Sequence, residues 1–243
     1  MPLQVNVRAV LFDVDFTLAK PGPDLGPDGY QRIGREHGLD ATRYQEAWAA
    51  AVESSQRDPE LRHDDQLWSA LSECIFRGMG GEPDLARDLA ARMTRLWEEP
   101  ANFDLYDDAL PVMAKLRGHH LKLGLVSNSH REIGDFLVHH CLEVDCAVDS
   151  RSHGWIKPHE SIFRAAVELL GIEPAEAAMV GDSVEEDIEG ALAVGMHAFL
   201  IDREGRYPEV AEALPDLWAL PAALGLKSAA TATRLRAEPV PRG

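Results

Sequence analysis

The sequence predicts an α/β protein: a parallel sheet built from alternating strands and helices, with a block of helices inserted after the first strand. Three observations carry this. Val7, Ala9, Val10, Leu11 and Phe12 form a short, almost unbroken apolar run, as a strand buried on both faces requires. From about residue 107 onward, short apolar runs alternate with segments of helical period, the mark of βαβ units. Between these regions lie about 80 residues with helical spacing and no strand pattern.

The composition is that of an ordinary globular chain. Of 243 residues, 45% are hydrophobic and 27% charged, enough for a substantial core. The formal net charge of -17 disfavours nonspecific binding to nucleic acid or to an anionic membrane. It does not exclude a phosphorylated substrate, because a bound cation reverses the sign locally. Three cysteines, Cys74, Cys141 and Cys146, form no C-x-x-C pair, which points to a reducing cytoplasm. The first ten residues lack a signal-peptide pattern, and no stretch approaches the roughly 18 apolar residues of a membrane span.

Taken in order, the first strand runs into Lys20 to Asp28, whose prolines and glycines read as a linker. Asp28 is placed to cap a helix that ends at Gly38, and Asp40 to cap the next, through Ala47, Trp48, Ala51 and Val52. Asp64 or Asp65 opens a third, with Leu67, Trp68, Leu71, Cys74, Ile75 and Met79 as its apolar face. Pro83 starts a fourth, carrying Leu85, Leu89, Met93, Leu96 and Trp97. These stripes read as helix-packing core. Helices at about 107–117, 130–140, 159–170 and 184–194 then alternate with strands at about 121–127, 145–148, 177–180 and 197–201. His119-His120 and His139-His140 fall near helix ends, where cations suit the helix dipole. The expected division is a core of 1–19 and 105–226, a helical insertion of 20–104, and a weakly ordered tail of 227–243.

The chemistry gathers at strand ends, where open α/β sheets bind ligands. The first strand ends in Asp13, Asp15 and Thr17, which alone would read equally as a turn. The strand at 121–127 ends in Ser127-Asn128, and Ser129-x-x-Glu132 matches a capping box that would start a helix at His130. The Ser127 hydroxyl would then sit at a positive helix N-terminus, suited to an anion. Lys157-Pro158 lies at the mouth of a helix, where the ammonium could offset carboxylates and hold a phosphate oxygen. Gly181-Asp182-Ser183 follows another strand, with Asp187 one turn into the next helix and Ser183-x-x-Glu186 as a second capping box. Individually each has a plain structural explanation; together they repeat one rule in four places.

These residues resemble the haloacid dehalogenase superfamily, most of whose members are phosphohydrolases. Asp13-x-Asp15-x-Thr17-Leu18 is similar to its first motif, Ser127-Asn128 to its second, Lys157-Pro158 to its third and Gly181-Asp182-Ser183-x-x-x-Asp187 to its fourth. The resemblance implies a Rossmann-like doubly wound sheet and a helical cap of the kind found with phosphoglycolate phosphatase and the 2-haloacid dehalogenases. One departure is Phe16, where many family phosphatases have Gly, which bears on the turn geometry there.

The resemblance further implies a mechanism. Asp13 would form an aspartyl phosphate, and Asp15 would protonate the leaving oxygen and then accept a proton from water. Thr17, Ser127, Asn128 and Lys157 would bind phosphoryl oxygens. Magnesium would be held by Asp13, the Asp15 backbone carbonyl and Asp182, with Asp187 behind them or acting through water. The expected partner is a small phosphorylated metabolite, and monomer and homodimer both stay open. Three other readings remain: a 2-haloacid dehalogenase, which needs no acid at Asp15, a receiver-like phospho-accepting domain without turnover, and a binding-only protein that retains the motifs.

Overall fold

The opening run folds as β1 (Ala9–Phe12), fully buried, in a computed structural model that describes residues 6–55 and 58–226. The chain then turns tightly: the Leu18 and Ala19 N–H groups both donate to the Val14 carbonyl at 2.9 Å. The turn leads into a short strand, β2 (Ala19–Pro21). Phe16, at its apex, takes a left-handed backbone conformation with φ 62° and is 42% exposed. The loop therefore keeps a geometry that glycine adopts freely, and Phe16 bears the strain.

Four helices follow: α1 (Gly26–Glu36), α2 (Tyr44–Ser54), α3 (Leu67–Gly78) and α4 (Pro83–Glu98). Pro27 and Pro83 sit in first turns, where a missing N–H costs no helical bond. Asp40 caps a short 3-10 turn before α2 by accepting from the Thr42 N–H at 3.1 Å. The chain returns through β3 (Phe103–Leu105), antiparallel to β2, with Ala19 opposite Leu105 and Pro21 opposite Phe103. The stretch expected as a linker thus holds half of this ribbon and the start of α1. Its strand partner lies too far along the chain for local pattern to reveal. The buried face of α3 is narrower than its spacing suggested: Leu71, Ile75 and Phe76 are buried, but Trp68 and Cys74 are exposed.

Beyond β3, helices and strands alternate. They are α5 (Ala109–Gly118), β4 (Lys122–Ser127), α6 (Ile133–His139), β5 (Cys146–Asp149), α7 (Ser150–His153) and α8 (Glu160–Leu170). Then come β6 (Ala177–Gly181), a π-helical segment (Val184–Glu189), α9 (Gly190–Ala193), β7 (His197–Leu200) and α10 (Leu220–Ala223). Among the described residues, five strands form a parallel sheet in the order β5-β4-β1-β6-β7, with Phe12 paired to Leu125 on one side and Val180 on the other. The chain builds outward from β1 to β5, then crosses to β6. That reversal makes the carboxyl ends of β1, β4 and β6 the switch point where such sheets bind ligands.

Both sheet faces are covered. Val10 and Phe12 join Leu123, Val180 and Phe136 in one cluster that continues into Ile33, Phe76 and Met93 of the insertion. Ala9 and Leu11 point the other way, into a cluster with Met179, Phe163 and Ala191. This period-two division of one strand is what a doubly wound sheet requires. Among the described residues no helix is long and apolar enough to cross a membrane. The predicted tail, 227–243, lies outside the described residues.

Replacing Phe16 with glycine should relieve the backbone strain. The expected gain is about 1 kcal/mol, or a rise of about 2–4 °C in Tm for a chain of this size. A thermal scan of Phe16→Gly checks this.

Candidate active site

The groups expected at strand ends converge on one edge of the sheet. Asp13 follows β1 directly, and its N–H donates to the Val180 carbonyl at 2.8 Å, extending the ladder with β6 by one step. Lys157, only 1% exposed, donates from Nζ to Asp13 Oδ1 and to Asp187 Oδ1, each at 2.6 Å. Burial alone would push the ammonium pKa down, but the two carboxylates outweigh it and hold the pKa above its ordinary range. Lys157 is therefore a charged, buried strut between two acids.

Asp187 reaches the strut because the chain widens into a π-turn after Ser183. The Ser183 N–H donates to Asp187 Oδ2 at 3.0 Å. The same carboxyl lies over Gly181, where an added Cβ would come within 2.2 Å of it. Glycine there is a packing requirement. The second capping box forms as expected on the Ser183 side, whose Oγ accepts from the Glu186 N–H at 3.2 Å.

Asn128, expected at the phosphate, meets the loop that carries Lys157. Its Oδ1 accepts from the Lys157 N–H at 2.7 Å, while Nδ2 donates to the Lys157 carbonyl at 3.2 Å and to Glu186 Oε2 at 3.0 Å. Both ends of the amide are occupied in aligning the loop that carries Lys157. Ser127 ends β4 and is buried. Thr17 is fully buried, and its Oγ1 has no hydrogen-bond partner. An orphan hydroxyl beside Asp15 suits an oxygen-rich ligand, since buried polar groups are otherwise paired.

Carboxylate oxygens of Asp13, Asp182 and Asp187 lie within 4.8 Å of one another. Asp182 Oδ2 accepts from Arg206 Nη2 at 2.7 Å. Burial raises the Asp182 carboxyl above its ordinary range, opposed by Arg206 and reinforced by Asp187. Asp13 is raised well above that range, chiefly by burial, with Lys157 opposing and Asp187, Asp182 and Asp15 adding to the rise. Lys157 and Arg206 thus leave the crowded acids short of positive charge. Hard oxygen donors under that deficit fit a magnesium-class cation.

Asp15 has a partner that sequence reading missed. The Arg131 guanidinium donates from Nη1 to Asp15 Oδ1 at 2.9 Å and from Nη2 to Oδ1 at 2.6 Å. Arg131 is 3% exposed and lies over the Phe103 ring at 3.9 Å. The capping box read at Ser129 concealed it. The helix starts at Ile133 and not at His130, because Ser129 Oγ accepts from the Arg131 N–H at 3.1 Å and shapes a loop that turns Arg131 inward. The available signal was an arginine four residues after the strand-end serine of an acid-rich site.

A family model described as haloacid dehalogenase-like hydrolase matches residues 7–195. The phosphoserine phosphatase of Thermus thermophilus is 38% identical over 243 residues, covering 87% of this chain and 94% of that protein. The crystal structure of a HAD phosphatase from Thermococcus onnurineus matches with a TM-score of 0.61 at 29% identity, over 90% of this chain and 98% of that one. The L-2-haloacid dehalogenase of Xanthobacter autotrophicus shares the fold, with a TM-score of 0.63 at 20% identity, over 90% of this chain and 98% of that one.

Two predictions follow from this geometry. Gly181→Ala should drive Asp187 off Lys157 and lower stability by about 3 kcal/mol, the scale for breaking a buried ion pair; denaturant unfolding measures it. Because the Asp13 and Asp182 carboxyls are raised, the metal-free fold binds more protons than the unfolded chain above about pH 4. Its stability should therefore fall as pH rises through those raised values, and saturating Mg2+ should flatten the slope. Tm measured from about pH 5 to 8 with and without Mg2+ decides this; parallel curves would rule out a cation among these carboxylates.

Proposed function

From the premise that this chain belongs to the haloacid dehalogenase-like hydrolases, we propose that it is a magnesium-dependent phosphatase acting on a small phosphate monoester. The observation that carries this reading is the buried Asp13–Lys157–Asp187 strut with Asp15 and Asp182 beside it on one sheet edge. The resemblance to a phosphoserine phosphatase and a HAD phosphatase structure supports it.

Asp13 is the nucleophile. Lys157 engages Oδ1 and so orients the carboxylate, leaving the other oxygen to attack phosphorus. As the Asp13–phosphorus bond forms, the ester bond breaks and Asp15 gives a proton to the departing oxygen. Asp15 then takes a proton from the water that attacks the aspartyl phosphate, which returns Asp13 and releases phosphate. Arg131 donates two hydrogen bonds to Asp15 Oδ1 and so positions its carboxyl, a contact that opens when Asp15 carries the proton it delivers. Thr17 and Ser127 offer hydroxyls to the transferring group, and Asn128 acts through Lys157 as a positioning residue. Magnesium, held by Asp13, Asp182 and the Asp15 carbonyl with Asp187 behind them, would supply charge neutralisation and orientation for the phosphate.

Asp15 also separates this reading from dehalogenation. Halide leaves without protonation, so an acid beside the nucleophile has no task in that reaction. The substrate is proposed as a small phosphorylated metabolite, and a panel of such esters ranked by kcat/KM identifies its class.

The 243-residue chain with Mg2+ should release phosphate from an aryl phosphate. Asp13→Asn should lower kcat at least about a thousand-fold with Tm little changed. Asp15→Asn should cost about 10²–10⁴-fold on alkyl phosphates, and less on aryl phosphates, whose leaving oxygen needs no proton. Undiminished turnover in Asp13→Asn, or halide release from 2-haloacids without phosphate release from any ester, would overturn the assignment.

A further inference from the structure

A second cluster of ligating side chains lies where the insertion meets the core. His63 Nε2 is 3.0 Å from Asp65 Oδ1, His130 Nδ1 is 3.9 Å from the same oxygen, and the three ligand atoms lie within 4.8 Å of one another. We propose that His63, Asp65 and His130 form a binding site for a divalent transition-metal ion of the zinc class, which fastens the helical insertion to the sheet domain.

The spacing suits such an ion. Tetrahedral coordination with bonds near 2.0–2.1 Å places ligand atoms about 3.4 Å apart, and the two observed distances to Asp65 bracket that value. Two imidazoles and one carboxylate select zinc-class ions over magnesium. Three protein ligands leave the fourth position to water.

The surroundings resemble those of a metal-ligating histidine. His63 has 8% of its side chain exposed, and its Nδ1 lies 2.9 Å from Ser150 Oγ. That oxygen also accepts from the Ser129 N–H at 3.1 Å. A proton on His63 Nδ1 fits there and leaves the Nε2 lone pair facing Asp65. The His130 ring lies 5.1 Å from that of His63, with the Trp68 ring 5.9 Å away and edge-on. Burial first, then His63, pushes the His130 pKa down to about 4, which keeps its ring neutral and able to ligate at neutral pH. A competing cation is Arg151, whose Nε lies 3.7 Å from Asp65 Oδ1. Its contacts with Glu132 at 3.4 Å and the His130 carbonyl at 2.8 Å hold it without Asp65.

The position gives the ion a structural task. Residues 61–63 already dock on the core: the Ile156 N–H donates to the Leu61 carbonyl at 2.8 Å, and the His63 N–H to the Gly154 carbonyl at 3.0 Å. The core segment 154–156 leads straight into Lys157, and His130 precedes Arg131. An ion shared by His63 and His130 would cross-link the insertion to the loops that hold the strut and Asp15.

The test uses the full chain, stripped of metal, with excess Mg2+ to occupy the carboxylate site, titrated with Co2+ and then Zn2+. One Co2+ per chain should give the visible bands of four- or five-coordinate cobalt with nitrogen ligands, and Zn2+ should displace it. His63→Gln and His130→Gln should each remove those bands and weaken Zn2+ by about 100-fold, and Ser150→Ala by about 10-fold. Asp13→Asn should keep them. Absent bands in the wild type, or bands that survive both histidine substitutions in variants of normal metal-free Tm, overturn the site. Neither outcome depends on whether the protein hydrolyses any ester.

Discussion

The ammonium of Lys157 is the interaction on which the rest of the site depends. Taking an ion of this size out of water costs several kcal/mol, and only close opposite charge offsets it. Two unit charges 4 Å apart attract by about 4 kcal/mol at an effective dielectric of 20. Lys157 has two such partners at 2.6 Å. Each comes from a different strand end: Asp13 from β1, Asp187 from the turn after β6, with Asn128 from β4 gripping the lysine backbone. The strut therefore exists only when three parallel strands are in register, so the fold and the reactive centre share one condition.

The centre remains unbalanced without a further positive charge. Asp13, Asp182 and Asp187 face one ammonium and one guanidinium, and burial raises Asp13 and Asp182. This shortage is what a divalent cation would relieve and what a phosphate dianion would deepen, so cation and substrate are linked electrostatically. Arg131 works on the opposite flank. It donates to Asp15 while stacking on Phe103, which belongs to the strand that brings the chain back from the insertion. The acid, its guanidinium and the connecting ribbon form one packed unit.

Particular residues show how much was legible beforehand. Asp13, Asp15 and Asp182 were readable because each stands immediately after an apolar run, where strand period breaks off. Ser129 misled because Ser-x-x-Glu has the same composition whether it caps a helix or closes a loop, and here Ser129 bonds the Arg131 N–H. The contacts of Asn128 were not legible, because its amide meets Lys157 and Glu186, 29 and 58 positions away. The β2–β3 ribbon was invisible because its two short strands pair across the whole insertion.

By itself the sequence determined the alternation of strands and helices, the helical insertion, and which polar groups stand at the sheet's carboxyl edge. These are consequences of period and local turn chemistry, and both act over a few residues. Tertiary structure alone decided that Lys157 is buried between acids 144 and 30 positions away, and that Arg131 grips an Asp15 116 positions distant. Such pairings follow from strand order and register, which no local pattern encodes, and from the burial that makes an unpartnered charge too costly to leave.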